Sequence, residues 1–162
     1  MSIASGAEKF LAQKRIAVVG VSRSNGTGKA IFKALRERGY EVFAVNPKAD
    51  SIDQDPCYPT VTAIPGGVEA AVIVTRSEAA GEIARDCVSA GVQHVWMHHN
   101  ALFGAGSSSV SPEATDYLRE HGVSVIPGGC PLMFGEKADV GHRCMRWLLG
   151  VAGKLPPEAR SA

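Results

Sequence analysis

The residues best equipped for chemistry stand in two short turns. The first reads Gly20, Val21, Ser22, Arg23, Ser24, Asn25, Gly26, Thr27, Gly28. It closes the β-branched run that begins at Arg15, which reads as a buried strand. A glycine-rich turn between a strand and a helix lets the backbone approach a phosphate. The helix behind it adds unpaired N–H groups and a partial positive charge. Ser22, Ser24, Asn25 and Thr27 contribute side-chain donors, and Arg23 contributes a charge. The second turn is Asn46, Pro47, Lys48, after the strand-like run Glu41–Val45. Sites for NAD usually place an acid here to hold the ribose 2′-hydroxyl. A lysine instead attracts a phosphate on the ribose, such as the 3′-phosphate of coenzyme A or the 2′-phosphate of NADP. Pro47 stiffens the turn that aims Lys48. The first turn is not the GxGxxG dinucleotide fingerprint, because position 22 is Ser. Nor is it a Walker A loop, because Ala30 follows Lys29 where that motif needs a hydroxyl.

These turns need a scaffold, and the chain alternates short apolar runs with helical stretches. A helix is expected over residues 28–38, closed by Gly39. Strands are expected at Arg15–Gly20, Glu41–Val45, Ala70–Thr75, His94–Met97 and Val123–Ile126. Residues 55–59 read as a loop and 61–64 as a short helical turn. Ser77 has the type and place of an N-cap for a helix running to Ala90. Ser111, Pro112 and Glu113 mark a strong helix start, with Gly122 as its stop. An amphipathic helix is expected over about 138–151. Five strands alternating with helices predict an α/β fold: a Rossmann-like, doubly wound parallel sheet with helices on both faces. Right-handed crossovers then put a ligand crevice outside the carboxyl ends of the strands, where both turns lie. The expected organisation is an N-terminal helix or arm (1–13), the main domain (14–135), a C-terminal helix (136–155) and a frayed tail (156–162).

Composition narrows the classes. The chain of 162 residues carries a net charge of +1, with 45% hydrophobic and 20% charged residues. That balance gives no reason to expect nucleic acid or a membrane surface as partner. No apolar run reaches the length of a membrane span, and the N-terminus has no apolar signal core. Cys57, Cys87, Cys130 and Cys144 are widely spaced and form no CxxC pair, which suits free thiols and a cytosolic location.

A second group of chemical candidates follows the fourth and fifth strands. His98, His99 and Cys130 are expected on the crevice side, with His142 and Cys144 in the last helix. Imidazole and thiolate suit a metal or thiol-redox module. The opposing reading is ordinary loop histidines and a buried thiol. No GxSxG elbow is present. In the last helix Val140, Cys144, Trp147, Leu148 and Val151 form an apolar stripe, expected either to cover the sheet or to pack on a second copy in a homodimer.

Several segments together resemble a known family. They are residues 16–22, 39–48, 57–61, 70–76 and 90–96, in order, within about 14–135. They are similar to the small CoA-binding domain proteins, stand-alone relatives of the N-terminal CoA-binding domain of the succinyl-CoA synthetase α-subunit. The Asn46, Pro47, Lys48 turn is the most specific part. The resemblance implies that coenzyme A or an acyl-CoA lies across the strand ends. Gly20, Val21, Ser22 and Arg23, with Asn25, would line the diphosphate. Asn46, Pro47 and Lys48 would meet the 3′-phosphate side, and Thr75 and Arg76 would border the pantetheine. In the synthetase, acyl-phosphate chemistry depends on a phosphorylated histidine in a separate domain and on a second subunit. The resemblance therefore points to a binding protein without ligase chemistry of its own, with a small NADP-dependent oxidoreductase as the alternative.

Overall fold

A computed structural model describes residues 6–99 and 108–156 of the chain. The order of elements is α1 (Gly6–Leu11), β1 (Arg15–Val19), α2 (Thr27–Glu37), β2 (Glu41–Val45), β3 (Ser51–Ile52), β4 (Asp55–Tyr58), β5 (Ala70–Ile73), α3 (Ala80–Ser89), β6 (His94–Met97), α4 (Pro112–Glu120), β7 (Ser124–Pro127) and α5 (Val140–Val151). The sheet runs β3-β4-β2-β1-β5-β6-β7. Every pairing is parallel except β3 with β4. The chain leaves β1 toward β2 on one side and returns as β5 on the other. The strand order therefore reverses between β1 and β5, where doubly wound sheets open a ligand crevice.

Both sheet faces are covered, which explains why β1 and β5 are unbroken apolar runs. Ile16 and Val18 of β1 pack with Phe10 of α1, Phe32 of α2 and Leu149 of α5. Ala17 and Val19 point the other way, into a core with Ala84 and Cys87 of α3 and Leu118 of α4. Trp96 is fully buried and anchors the first face. Its Nε1–H donates to the Gly128 carbonyl at 2.9 Å, and Phe10 and Phe134 rings each lie 5.4 Å from it.

The expected α/β fold stands, with several local corrections. The loop expected at residues 55–59 contains β4, which pairs with the end of β2 and folds back on β3 as a hairpin. Asp53 turns that hairpin in the left-handed region (φ 55°). Ser77 does not cap a helix through its side chain. It opens a single 3-10 turn, Ser77–Ala79, ahead of α3. Ser111 does cap α4: its hydroxyl accepts from the Ala114 N–H at 3.3 Å, with Pro112 behind it. Residues 61–64 form a hydrogen-bonded turn and no helix. The apolar stripe of α5 does not cover the sheet. The helix docks instead through the buried Leu149 and the partly buried Met145, on its other side. The expected tail lies outside the described residues beyond Pro156, as do residues 100–107.

Candidate functional site

Gly20 stands where β1 ends and the order of strands reverses. Its φ is +100°, and a Cβ there would lie 2.2 Å from the carbonyl oxygen of Val74. Only glycine satisfies both conditions. Its N–H donates to the Val45 carbonyl at 2.9 Å, and the Val74 N–H donates to the Val19 carbonyl at 2.8 Å. The ends of β2, β1 and β5 are thereby laced together. At the other end of the turn, a Cβ on Gly28 would meet the Gly20 carbonyl oxygen at 2.5 Å. Helix α2 thus stands directly on the turn. Gly20 and Gly28 do what the first and third glycines of a dinucleotide fingerprint do, the tight turn and the close helix packing, although their spacing hides it. In between, the Ser22 hydroxyl lies 3.0 Å from the Ser24 hydroxyl. Arg23 and Asn25 are exposed, whereas the Val21 side chain is fully buried in the core. Val21 can therefore meet a ligand only through its backbone.

Asn46 is better described as a brace. Its Nδ2 donates to the Val21 carbonyl at 2.8 Å, and its Oδ1 accepts from the Lys48 N–H at 2.9 Å. One side chain therefore joins the two candidate turns and fixes the backbone of Lys48. Pro47 and Lys48 are exposed. The Lys48 ammonium has no hydrogen-bond or ion-pair partner among the described residues. On the far side of Gly20, Thr75 and the exposed Arg76 follow β5. The structure thus brings Gly20, Ser22, Asn46 and Thr75 to neighbouring strand ends.

Two residues that sequence reasoning missed hold this arrangement. Ser109 is fully buried. Its hydroxyl accepts from the Thr75 N–H at 2.9 Å and donates to the Thr75 carbonyl at 2.7 Å. Nothing in a run of three serines marks the last of them as special. The Ser109→Ala variant leaves a backbone donor and acceptor beside β5 without their partner. Its unfolding free energy in urea is expected to fall by about 1–3 kcal/mol, the cost of unsatisfied buried groups. The second is Lys29, only 7% exposed. Its ammonium donates to Asp53 at 2.7 Å and to the Arg23 carbonyl at 3.2 Å, tying the hairpin to the glycine-rich turn after β1. Hydrogen bonds from Lys29 and then Lys33 hold the Asp53 carboxyl below its ordinary range.

The histidine and cysteine candidates do not assemble. His98 is buried, and burial, with His99 nearby, pushes its pKa down to about 4. Cys130 does not face the crevice. It packs in the first core, and burial pushes its thiol up to about 11, far from the reactive range. His142 pairs with Asp139 at the start of α5, and Cys144 is exposed on that helix. Among the described residues, no three His, Cys, Asp or Glu side chains gather as metal ligands. No helix there is long and apolar enough to cross a membrane.

The family model described as the CoA binding domain matches residues 14–136, which hold both turns and the sheet from β1 to β7. The chain belongs to the CoA-binding domain family. Among curated relatives, ADP-forming acetate–CoA ligase I of Archaeoglobus fulgidus is 30% identical over 126 residues, 76% of this chain. The chain spans only 18% of that ligase's length. The uncharacterized protein YneT of Bacillus subtilis is 30% identical over 118 residues, covering 72% of this chain and 82% of YneT. A solved structure of a hypothetical protein from Pyrococcus horikoshii OT3 superposes with a TM-score of 0.70 at 26% identity, over 77% of this chain and 84% of that one. The CoA-binding domain here therefore has relatives of two kinds, a segment of a large ligase and chains of similar size.

Proposed function

We propose that this CoA-binding domain holds coenzyme A, free or acylated, across the carboxyl ends of β2, β1 and β5, in the cytosol and without ligase chemistry of its own. The observation that carries this reading is Gly20, a left-handed glycine pressed against the Val74 carbonyl at the point where the strand order reverses. It leaves the backbone of the turn open to a diphosphate, in line with the N-terminus of α2. Ser22, Arg23 and Asn25 add polar groups along that path. The unpartnered ammonium of Lys48, on a turn fixed by Asn46, suits the ribose 3′-phosphate. Thr75 and Arg76 would border the pantetheine arm. The family match supports the same ligand.

Calorimetric titration with CoA, dephospho-CoA, NADP and NAD tests the reading, with CoA expected to bind above the other three. A preference for NADP would turn the assignment toward a reductase. Absence of binding by all four would remove it. Within a positive result, Lys48→Ala is expected to weaken CoA about tenfold, the loss of one charge-assisted contact of about 1.4 kcal/mol. Dephospho-CoA, which lacks the phosphate, should be unaffected. Equal losses for both ligands would take the ribose phosphate away from Lys48.

A further inference from the structure

Helix α5 is amphipathic but poorly used. Leu149 is its one buried residue. Val140, Trp147, Leu148 and Val151 are 82%, 65%, 46% and 73% exposed. Val140, Cys144, Trp147 and Val151 succeed one another at intervals of four, three and four residues, the spacing of a helix-pairing seam. Beside the seam, between α5 and α1, runs a groove of about 1180 Å³ whose walls include Leu11, Phe134, Trp147 and Val151. Exposed apolar surface of this kind marks an interaction site more often than bare surface.

The charges of the groove indicate what fits it. Glu8, Glu136, Arg143 and Arg146 line it, and Glu8 and Arg146 are engaged in interactions of their own, which leaves Glu136 and Arg143. Glu136 and Arg143 are exposed, and neither has an ion-pair partner among the described residues. In a two-fold interface each residue meets a different residue of the same patch on its partner, so the patch must complement itself. An unpaired acid and an unpaired base on one apolar patch meet that condition, because Glu136 of one copy answers Arg143 of the other, twice. The geometry points to a second copy of this chain as the occupant, with α5 of each copy laid in the α1–α5 groove of the other. None of Gly20, Ser22, Asn46, Lys48 or Thr75 lines the groove, so dimerisation is expected to be separable from ligand binding.

Sedimentation velocity of the full chain across the micromolar range tests this. The wild type is expected to sediment as a reversible dimer. Trp147→Glu places a charge in the seam and is expected to weaken the dimer at least about a hundredfold, as for a central aromatic anchor. Trp147 is largely exposed, so the variant should keep the wild-type melting curve once dissociated. Glu136→Arg and Arg143→Glu should each weaken association, and the double exchange should restore it. A wild type that stays monomeric overturns the inference. So does a Trp147→Glu variant that remains dimeric, or a double exchange no better than its parents. A monomer whose tryptophan emission changes when residues 157–162 are removed would assign the groove to the chain's own C-terminal segment and overturn it as well.

Discussion

Gly20→Ala is expected to destabilise the protein by about 4 kcal/mol or more, the upper end for a single substitution, and to abolish the proposed CoA binding at the strand ends. Two costs combine. The backbone at φ +100° is one that a side chain adopts only with strain, on the order of 1–3 kcal/mol. The new Cβ would also stand 2.2 Å from the Val74 oxygen and 2.8 Å from its carbon. Both are backbone atoms at the end of β5, so no side-chain rotation relieves the clash. The strand ends must move apart, at the expense of the bonds from Val74 to Val19 and from Gly20 to Val45. Gly26→Ala is the control. Its φ is −155°, and its nearest neighbour would be the Ser22 hydroxyl at 3.8 Å. That variant should lose no more than about 1 kcal/mol as a poorer N-cap. Urea unfolding of the two variants measures the difference, and equal midpoints would mean that the turn is looser than its packing implies.

Acid should weaken the fold well before its carboxylates titrate. His98 is buried, and its pKa is pushed down to about 4 from an ordinary 6.5, first by burial and then by His99. The folded state therefore favours the neutral ring, while the unfolded chain takes up a proton first as pH falls. The contribution of His98 is complete above about pH 6.5 and is lost progressively between there and about pH 4. Its full size is on the order of 3 kcal/mol, with about 2 kcal/mol gone by pH 5. His94, also lowered by burial, acts in the same direction. Asp53, Glu69 and Asp139 have lowered values too, so their contributions are lost only at lower pH, as they protonate. The measurement is unfolding free energy at pH 7, 6 and 5 for the wild type and for His98→Gln. The wild type should fall more steeply than the variant, and parallel curves would show that His98 titrates normally.

What could be read from the residues, and what could not, divides along a physical line. Strands β1, β2, β5, β6 and β7 were legible because a sheet covered on both faces demands continuous apolar runs, and glycines close the helices between them. The places of the glycine-rich turn and the Lys48 turn, at the ends of β1 and β2, were legible because their residue types are unusual after a strand. The hairpin β3–β4 was hidden, because Pro56 and Pro59 read as loop and the pairing with β2 is a tertiary event. Asn46 carried a ligand-contact expectation, yet its amide faces the Val21 carbonyl, which only the packing of β2 against β1 reveals. Ser109 and Lys29 gave no signal, since burial of a single polar side chain leaves no periodic trace. The stripe on α5 was seen, but periodicity alone could not say which side of that helix faces the core. Cys130 was expected at the crevice and lies in the core, because it opens the 3-10 turn Pro131–Met133 and is buried with Leu132, Met133 and Phe134 in one cluster, a packing that sequence spacing does not show.

The hairpin also bears on how strands of other chains could add to this sheet. A parallel sheet has two open borders, each a row of unpaired amides that invites another chain's strand. Here one border is the two-residue strand β3, turned antiparallel to the rest, and the other is the four-residue β7, which ends on Pro127 and so lacks a donor there. Neither border offers enough consecutive amides to template a fibril. Among the described residues the sheet is thus poorly templated at both rims, which leaves the helical faces as the better surfaces for association.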